Sequence, residues 1–124
     1  MYYDGSREQI VITGYTNHII RIYKVVEVGG YWIEAAGVSG SPGNDDSLSG
    51  SGAKFKQPWG VVGVFPETSP DESTGYLIAD QSNHCIRHMN AESPYAVTTA
   101  AGVCGSDQGS QDGIGSTARI QGPH

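Results

Sequence analysis

The chain has 124 residues, 37% of them hydrophobic, and its 18 glycines stand far above the glycine share of about 7% in an average protein. The formal charge is −6, and the few basic residues are scattered singly apart from Lys54 and Lys56, so the cation clusters that bind phosphate are missing and no nucleic-acid partner is expected. No apolar run is long enough to span a membrane and residues 1–9 carry no basic-then-apolar leader, so no membrane contact is expected and the compartment is left open.

In chain order, short runs of β-branched and aromatic residues appear at 9–13, 19–23 and 31–36, separated by turn residues at 14–17 and by Gly29-Gly30. A Gly- and Ser-rich stretch, 37–58, leads to Pro58 and the apolar run 59–65. Proline suits a strand start because it donates no ladder hydrogen bond. The stretch 66–74 holds two prolines and three acidic residues, and it is expected to be an exposed, mobile insertion. Strand-like runs resume at 76–79, 85–89 and 96–101, with turns at 80–83 and 90–94. No segment has a helical period. The expectation is an all-β chain of seven strands in two antiparallel sheets.

The chain also repeats itself. Residues 37–58 match 102–123 without a gap at a shift of 65, including Gly37-Val38 with Gly102-Val103, Gly50-Ser51 with Gly115-Ser116, and Ala53-Lys54-Phe55 with Ala118-Arg119-Ile120. Asn17-His18-Ile19-Ile20-Arg21 matches Asn83-His84-Cys85-Ile86-Arg87 at a shift of 66. Two separated blocks with the same order and spacing mark a true repeat, and short antiparallel strands repeated along a chain are the sequence form of propeller blades.

The repeated residues resemble the NHL repeat. The second unit carries Pro58-Trp59-Gly60-Val61-Val62, Tyr76-Leu77-Ile78-Ala79-Asp80, Asn83-His84-Cys85-Ile86-Arg87, Val97-Thr98-Thr99-Ala100-Ala101-Gly102, then Asp112-Gly113 through Ala118-Arg119-Ile120-Gln121-Gly122-Pro123. The first unit departs from the pattern, with Thr13-Gly14 for Ala-Asp and Ser47-Leu48 for Asp-Gly. The resemblance implies a partial β-propeller of two NHL-type blades: residues 1–58, expected to lack a first strand, and residues 59–124, with the insertion 66–74. A propeller needs about 4–8 blades to close, so the chain is expected to be a piece of a larger protein.

The repeat motif residues Asn17, His18, Arg21, Asp80, Asn83, His84 and Arg87 recur or sit at blade positions, which favours structural roles over metal ligation or ligand anchoring. His88 occurs in one unit only and is expected to be exposed or to face a partner. Asp45, Asp46, Asp107 and Asp112 lie on the glycine-rich loops and are the candidates for a loop-binding site. Neither loop has the Asp-x-Asp-x-Asp-Gly order of a calcium loop, so turn formation is their expected role and no metal or other cofactor is expected. Cys85 reads as a strand residue, facing about position 100 across the 90–94 turn, so a disulfide to Cys104 is expected to be too strained to form. Trp32 and Trp59 are expected to pack between blades.

No nucleophile–base or paired-carboxylate pattern emerges. The functional expectation is a non-catalytic scaffold whose loops contact a protein or peptide partner. The alternative is part of a metal-dependent lyase or hydrolase whose site needs further blades. Uncovered outer faces and a missing first strand predict that the chain alone self-associates, three copies making a six-bladed ring.

Overall fold

The structure, a computed structural model, describes residues 1–105. Their backbone forms two four-stranded antiparallel sheets. The first contains β1 (Tyr2–Asp4), β2 (Gln9–Gly14), β3 (Ile19–Lys24) and β4 (Tyr31–Gly37), in that order across the sheet. The second contains β5 (Pro58–Val64), β6 (Gly75–Asp80), β7 (Cys85–Asn90) and β8 (Val97–Ala101). Only single 3-10 turns at Gly50–Gly52 and Gln81–Asn83 interrupt this all-β plan. Each sheet is an up-and-down meander, the form of a propeller blade.

The first sheet is one strand richer than expected. Tyr2–Asp4 pairs with β2 through Tyr2↔Val11 and Asp4↔Gln9, giving eight strands in place of seven. Three residues are too few to show a period-2 pattern, so this strand leaves no sequence signal of its own.

The repeat extends to backbone detail. A bulge falls between Ile20 and Arg21 in one sheet and between Ile86 and Arg87 in the other. His18 and His84 both adopt left-handed conformations (φ 62 and 58), and Gly37 and Gly102 both have positive φ (93 and 86). The Gly40 amide donates to the Asn17 carbonyl at 3.0 Å, and the Gly105 amide donates to the Asn83 carbonyl at the same distance. His belongs with Asn and Asp among the residues that tolerate this conformation, so Asn-His is turn chemistry.

The sheets pack face to face through alternate strand residues. Val11, Ile20 and Ile22 of the first sheet and Val61, Tyr76, Ile78, Met89 and Val97 of the second form one buried cluster. Full burial of such side chains contributes about 1.5–3 kcal/mol each, the main favourable contribution holding the pair together. The connecting segment 38–57 completes the core. Ser47 bridges to Val97 along the outer edge of β8, Gly50 donates to the Pro94 carbonyl at 2.7 Å, and Ala53 and Phe55 are fully buried in the cluster. Covering the β8 edge also removes a row of backbone groups that could pair with another chain.

Three expectations are corrected here. The segment 66–74 is not loose along its whole length, because Ser73 is fully buried and Arg7 donates to its carbonyl at 3.0 and 2.8 Å. Cys85 and Cys104 form a disulfide with a Cα–Cα distance of 5.1 Å. The β7 bulge pairs Ile86 with Ala101, and the positive φ of Gly102 then swings Cys104 back over Cys85. Trp32 lies 58% exposed against Tyr23 of its own sheet, so it takes no part in the junction between the two described sheets.

Candidate functional site

Three groups of side chains meet where the sheets join. The first surrounds Arg87, whose side chain is fully buried on the face of β7 that meets the first sheet. A guanidinium has five N–H donors. Here Nε donates to Asp46 Oδ1 at 3.2 Å. Nη1 donates to the Lys54 carbonyl and to Asp80 Oδ2, both at 2.8 Å. Nη2 donates to the Asp45 carbonyl at 2.8 Å and to Asp46 Oδ1 at 2.7 Å. The cation also lies 5.0 Å from the centre of the Phe55 ring. Every donor is used, so Arg87 has none left for a ligand.

Asp80 is equally committed. Its carboxylate accepts from the Lys56 amide at 2.8 Å and from Asn83 Nδ2 at 2.8 Å, besides Arg87. Burial pushes its pKa up, and the bonds from Asn83, the Lys56 amide and Arg87 oppose that rise. Asp46 is held by Arg87 and by the Thr99 amide and hydroxyl, each at 3.1 Å. The structure thus brings Asp46, Asp80, Asn83 and Arg87 together as a clamp between the connecting segment and the second sheet. Asp45 takes part through its carbonyl alone.

The first sheet has no such clamp. Gly14 stands where Asp80 would be, and Arg21 is 44% exposed with one contact, at 3.5 Å, to Glu34. Asn17 and His18 form the turn already described, and His18 Nδ1 accepts from the Gln57 amide of the connecting segment at 3.0 Å. His84 occupies the matching turn. Asp107 and Asp112 lie outside the described residues. Among the described residues, no three His, Cys, Asp or Glu side chains converge as metal ligands.

The second group is one that sequence reasoning missed. Asp4, Gln9, Ser73 and Tyr76 are fully buried. The Tyr76 hydroxyl donates to Asp4 Oδ2 at 2.5 Å and accepts from Gln9 Nε2 at 2.5 Å, while Ser73 Oγ also donates to Asp4. Burial raises the Asp4 pKa, but the bonds from Ser6, Ser73 and Tyr76 outweigh it and hold the carboxyl below its ordinary value of 3.8. Burial and the Asp4 charge push the Tyr76 phenol well above its usual range. These residues lie up to 72 positions apart, a contact no local pattern announces. Sealed from water, the group joins the sheets and offers nothing to a substrate.

The third group is open. At the end of the sheets that carries the β2–β3 and β6–β7 turns, Tyr15 and Trp59 stack edge to face with ring centres 5.4 Å apart. The Thr13 hydroxyl donates to the Trp59 carbonyl at 2.6 Å. Trp59 therefore does touch the other sheet, yet it stays 55% exposed, and Tyr15 is 37% exposed. At the opposite end, a polar recess of about 370 Å³ lies beside Arg7, Asn90, Glu92 and Pro94. Its Arg7 is already paired with Glu92 at 2.9 Å and with Glu72 at 3.3 Å. His88, expected to be exposed or to face a partner, is half-buried over Gly75, and burial lowers its pKa.

The architecture and the three groups together describe a stack of interlocked meanders. The fold is a partial β-propeller. Solved structures agree with it. Auxiliary nutrient binding proteins of Bacteroides thetaiotaomicron and Bacteroides ovatus superpose with TM-scores of 0.77 and 0.78, each at 24% identity over 93% and 94% of this chain. A Bacteroides thetaiotaomicron protein described as a "Putative phosphatase" superposes with a TM-score of 0.72 at 23% identity over 96% of the chain. The chain spans only 28–29% of those proteins' lengths, and at such identities the likeness concerns the fold alone. No protein family and no curated protein matches the sequence.

Proposed function

We propose that the chain is a pair of NHL-type blades, residues 1–58 and 59–124, within a larger propeller, and that it serves as a non-catalytic platform for a protein or peptide partner. The observation that carries this reading is the contrast between sealed and open groups. The buried polar side chains are hydrogen-bonded internally, whereas Tyr15 and Trp59 stay exposed across the junction of the sheets. Exposed aromatics on a rigid support are the residues that dominate binding energy at protein interfaces. The nutrient-binding description of two structural neighbours is compatible with a binding role. A catalytic reading needs reactive groups open to solvent, and the cluster around Asp4, Ser73 and Tyr76 is buried.

Peptide display against the purified chain tests the proposal. Peptides enriched on the wild type should be lost on Trp59→Ser and on Tyr15→Ser, with the fold intact by circular dichroism. Enrichment of the same peptides on both variants would move the binding surface elsewhere, and no enrichment on the wild type would remove the reading.

A further inference from the structure

Among the described residues, the internal repeat defines two uncovered faces as well as one occupied interface. Within the chain, the face of the first sheet that carries Val11, Ile20 and Ile22 is covered by the face of the second that carries Tyr76, Ile78 and Met89. At a shift of 66, Val11 corresponds to Leu77, Thr13 to Ala79 and Ile20 to Ile86. Those second-sheet residues line an open apolar groove of about 410 Å³ together with Gly60, Val61 and Val62, and Val62 is 54% exposed. The second sheet therefore bears the same seat that the first uses, without an occupant among the described residues.

The complementary face is also uncovered among the described residues. At the same shift, Tyr76, Ile78, Arg87 and Met89 correspond to Ile10, Ile12, Arg21 and Tyr23 of the first sheet. Where their counterparts are fully buried, Ile10, Ile12 and Tyr23 are only partly so, and Trp32 beside them is 58% exposed. Arg21, with one distant carboxylate partner, stands where Arg87 makes five hydrogen bonds.

Size complementarity points to this chain as its own partner. In the occupied interface the Tyr2 ring lies over Gly63, where a Cβ would come within 2.5 Å of its hydroxyl. In strand register, Val62 takes the place of Tyr2 and Tyr3 takes the place of Gly63. The large and small members of the pair are exchanged, so at this position the two uncovered faces are complementary in size.

We propose that this two-sheet chain, taken apart from any further blades of the larger propeller inferred above, associates head to tail, the groove face of the second sheet in one copy seating the outer face of the first sheet in the next. A repeated head-to-tail contact closes into a ring when its rotation permits. Three copies supply six sheets, within the range of about 4–8 that closed propellers use. The short first strand is already in place, so the association needs no borrowed strand, in contrast to the sequence-based expectation.

Sedimentation equilibrium at about micromolar to tens of micromolar chain tests this. The wild type should show the mass of three chains. Leu77→Glu and Trp32→Glu lie on opposite faces and should each reduce the mass to fewer copies while retaining the circular dichroism spectrum. Mixed together, the two variants should form a one-to-one dimer, because each keeps the face that the other has lost. A monomeric wild type overturns the proposal. So does failure of the folded variants to pair on mixing, or an undiminished mass in either one, since both results require a contact other than this head-to-tail seat.

Discussion

Arg87 shows how much of the packing rests on single side chains. Its ion pair with Asp80 is fully buried, and removing one member of such a pair leaves the other charge uncompensated, at a cost of about 3–5 kcal/mol. Arg87→Met should lower the urea-unfolding free energy by that amount, whereas Arg21→Met on the exposed face should change it by less than about 1 kcal/mol. Asp4 makes the fold sensitive to acid. Its folded pKa lies below the ordinary 3.8, so its contribution is fully present above the unfolded value and is lost as pH falls through the folded one. Asp4→Asn should therefore be less stable than the wild type at pH 7, and the gap in urea midpoints should narrow as pH falls below 3.8; an unchanged gap would contradict this account. The shared turn at Asn17-His18 and Asn83-His84 was legible from its recurrence, because equivalent positions in a repeat adopt the same backbone conformation. The partners of Arg87 were not legible: Asp46 reaches it from 41 positions away, on a loop whose carboxylates read equally well as turn formers.

At the scale of elements, seven strands were readable from β-branched runs and turn residues, and their bounds differ from the observed ones by a residue at most ends. The disulfide was not readable, because a bulge and one left-handed glycine displace Cys104 from its simple hairpin register. It closes a loop with a sequence separation of 19, for which chain entropy suggests about 3 kcal/mol. Cys104→Ser should lose that much stability, and a reducing agent should destabilise the wild type but leave the variant unchanged. The connecting segment is similarly tight. A Cβ on Gly50 would fall 1.9 Å from the Ala35 carbonyl oxygen, so Gly50→Ala should cost about 1–3 kcal/mol through forced backbone shifts. The insertion 66–74 keeps its expected exposure along most of its length and is pinned at the buried Ser73. Limited proteolysis should cut within 67–71 and spare the buried Ser73 and its neighbour Thr74.

For the whole molecule, the sequence repeat carried the architecture, because two blocks at nearly one spacing require two similar units. How those units lock together could not be read from it. The junction depends on side chains far apart in sequence: Asp4 with Tyr76, His18 with the Gln57 amide, and Arg87 with the connecting segment. These contacts make the two sheets one cooperative body, and that rigidity is what would hold Tyr15 and Trp59 in place for a partner. Native-state hydrogen exchange across a denaturant series tests this most directly, since a cooperative unit opens with one free energy. The slowest amides of β2 and β3, at Val11, Ile20 and Ile22, should converge on the same opening free energy as those of β6 and β7, at Ile78 and Met89. If the first-sheet amides exchange through a separate, lower-energy opening while the second sheet stays protected, the sheets are independent and the account is wrong.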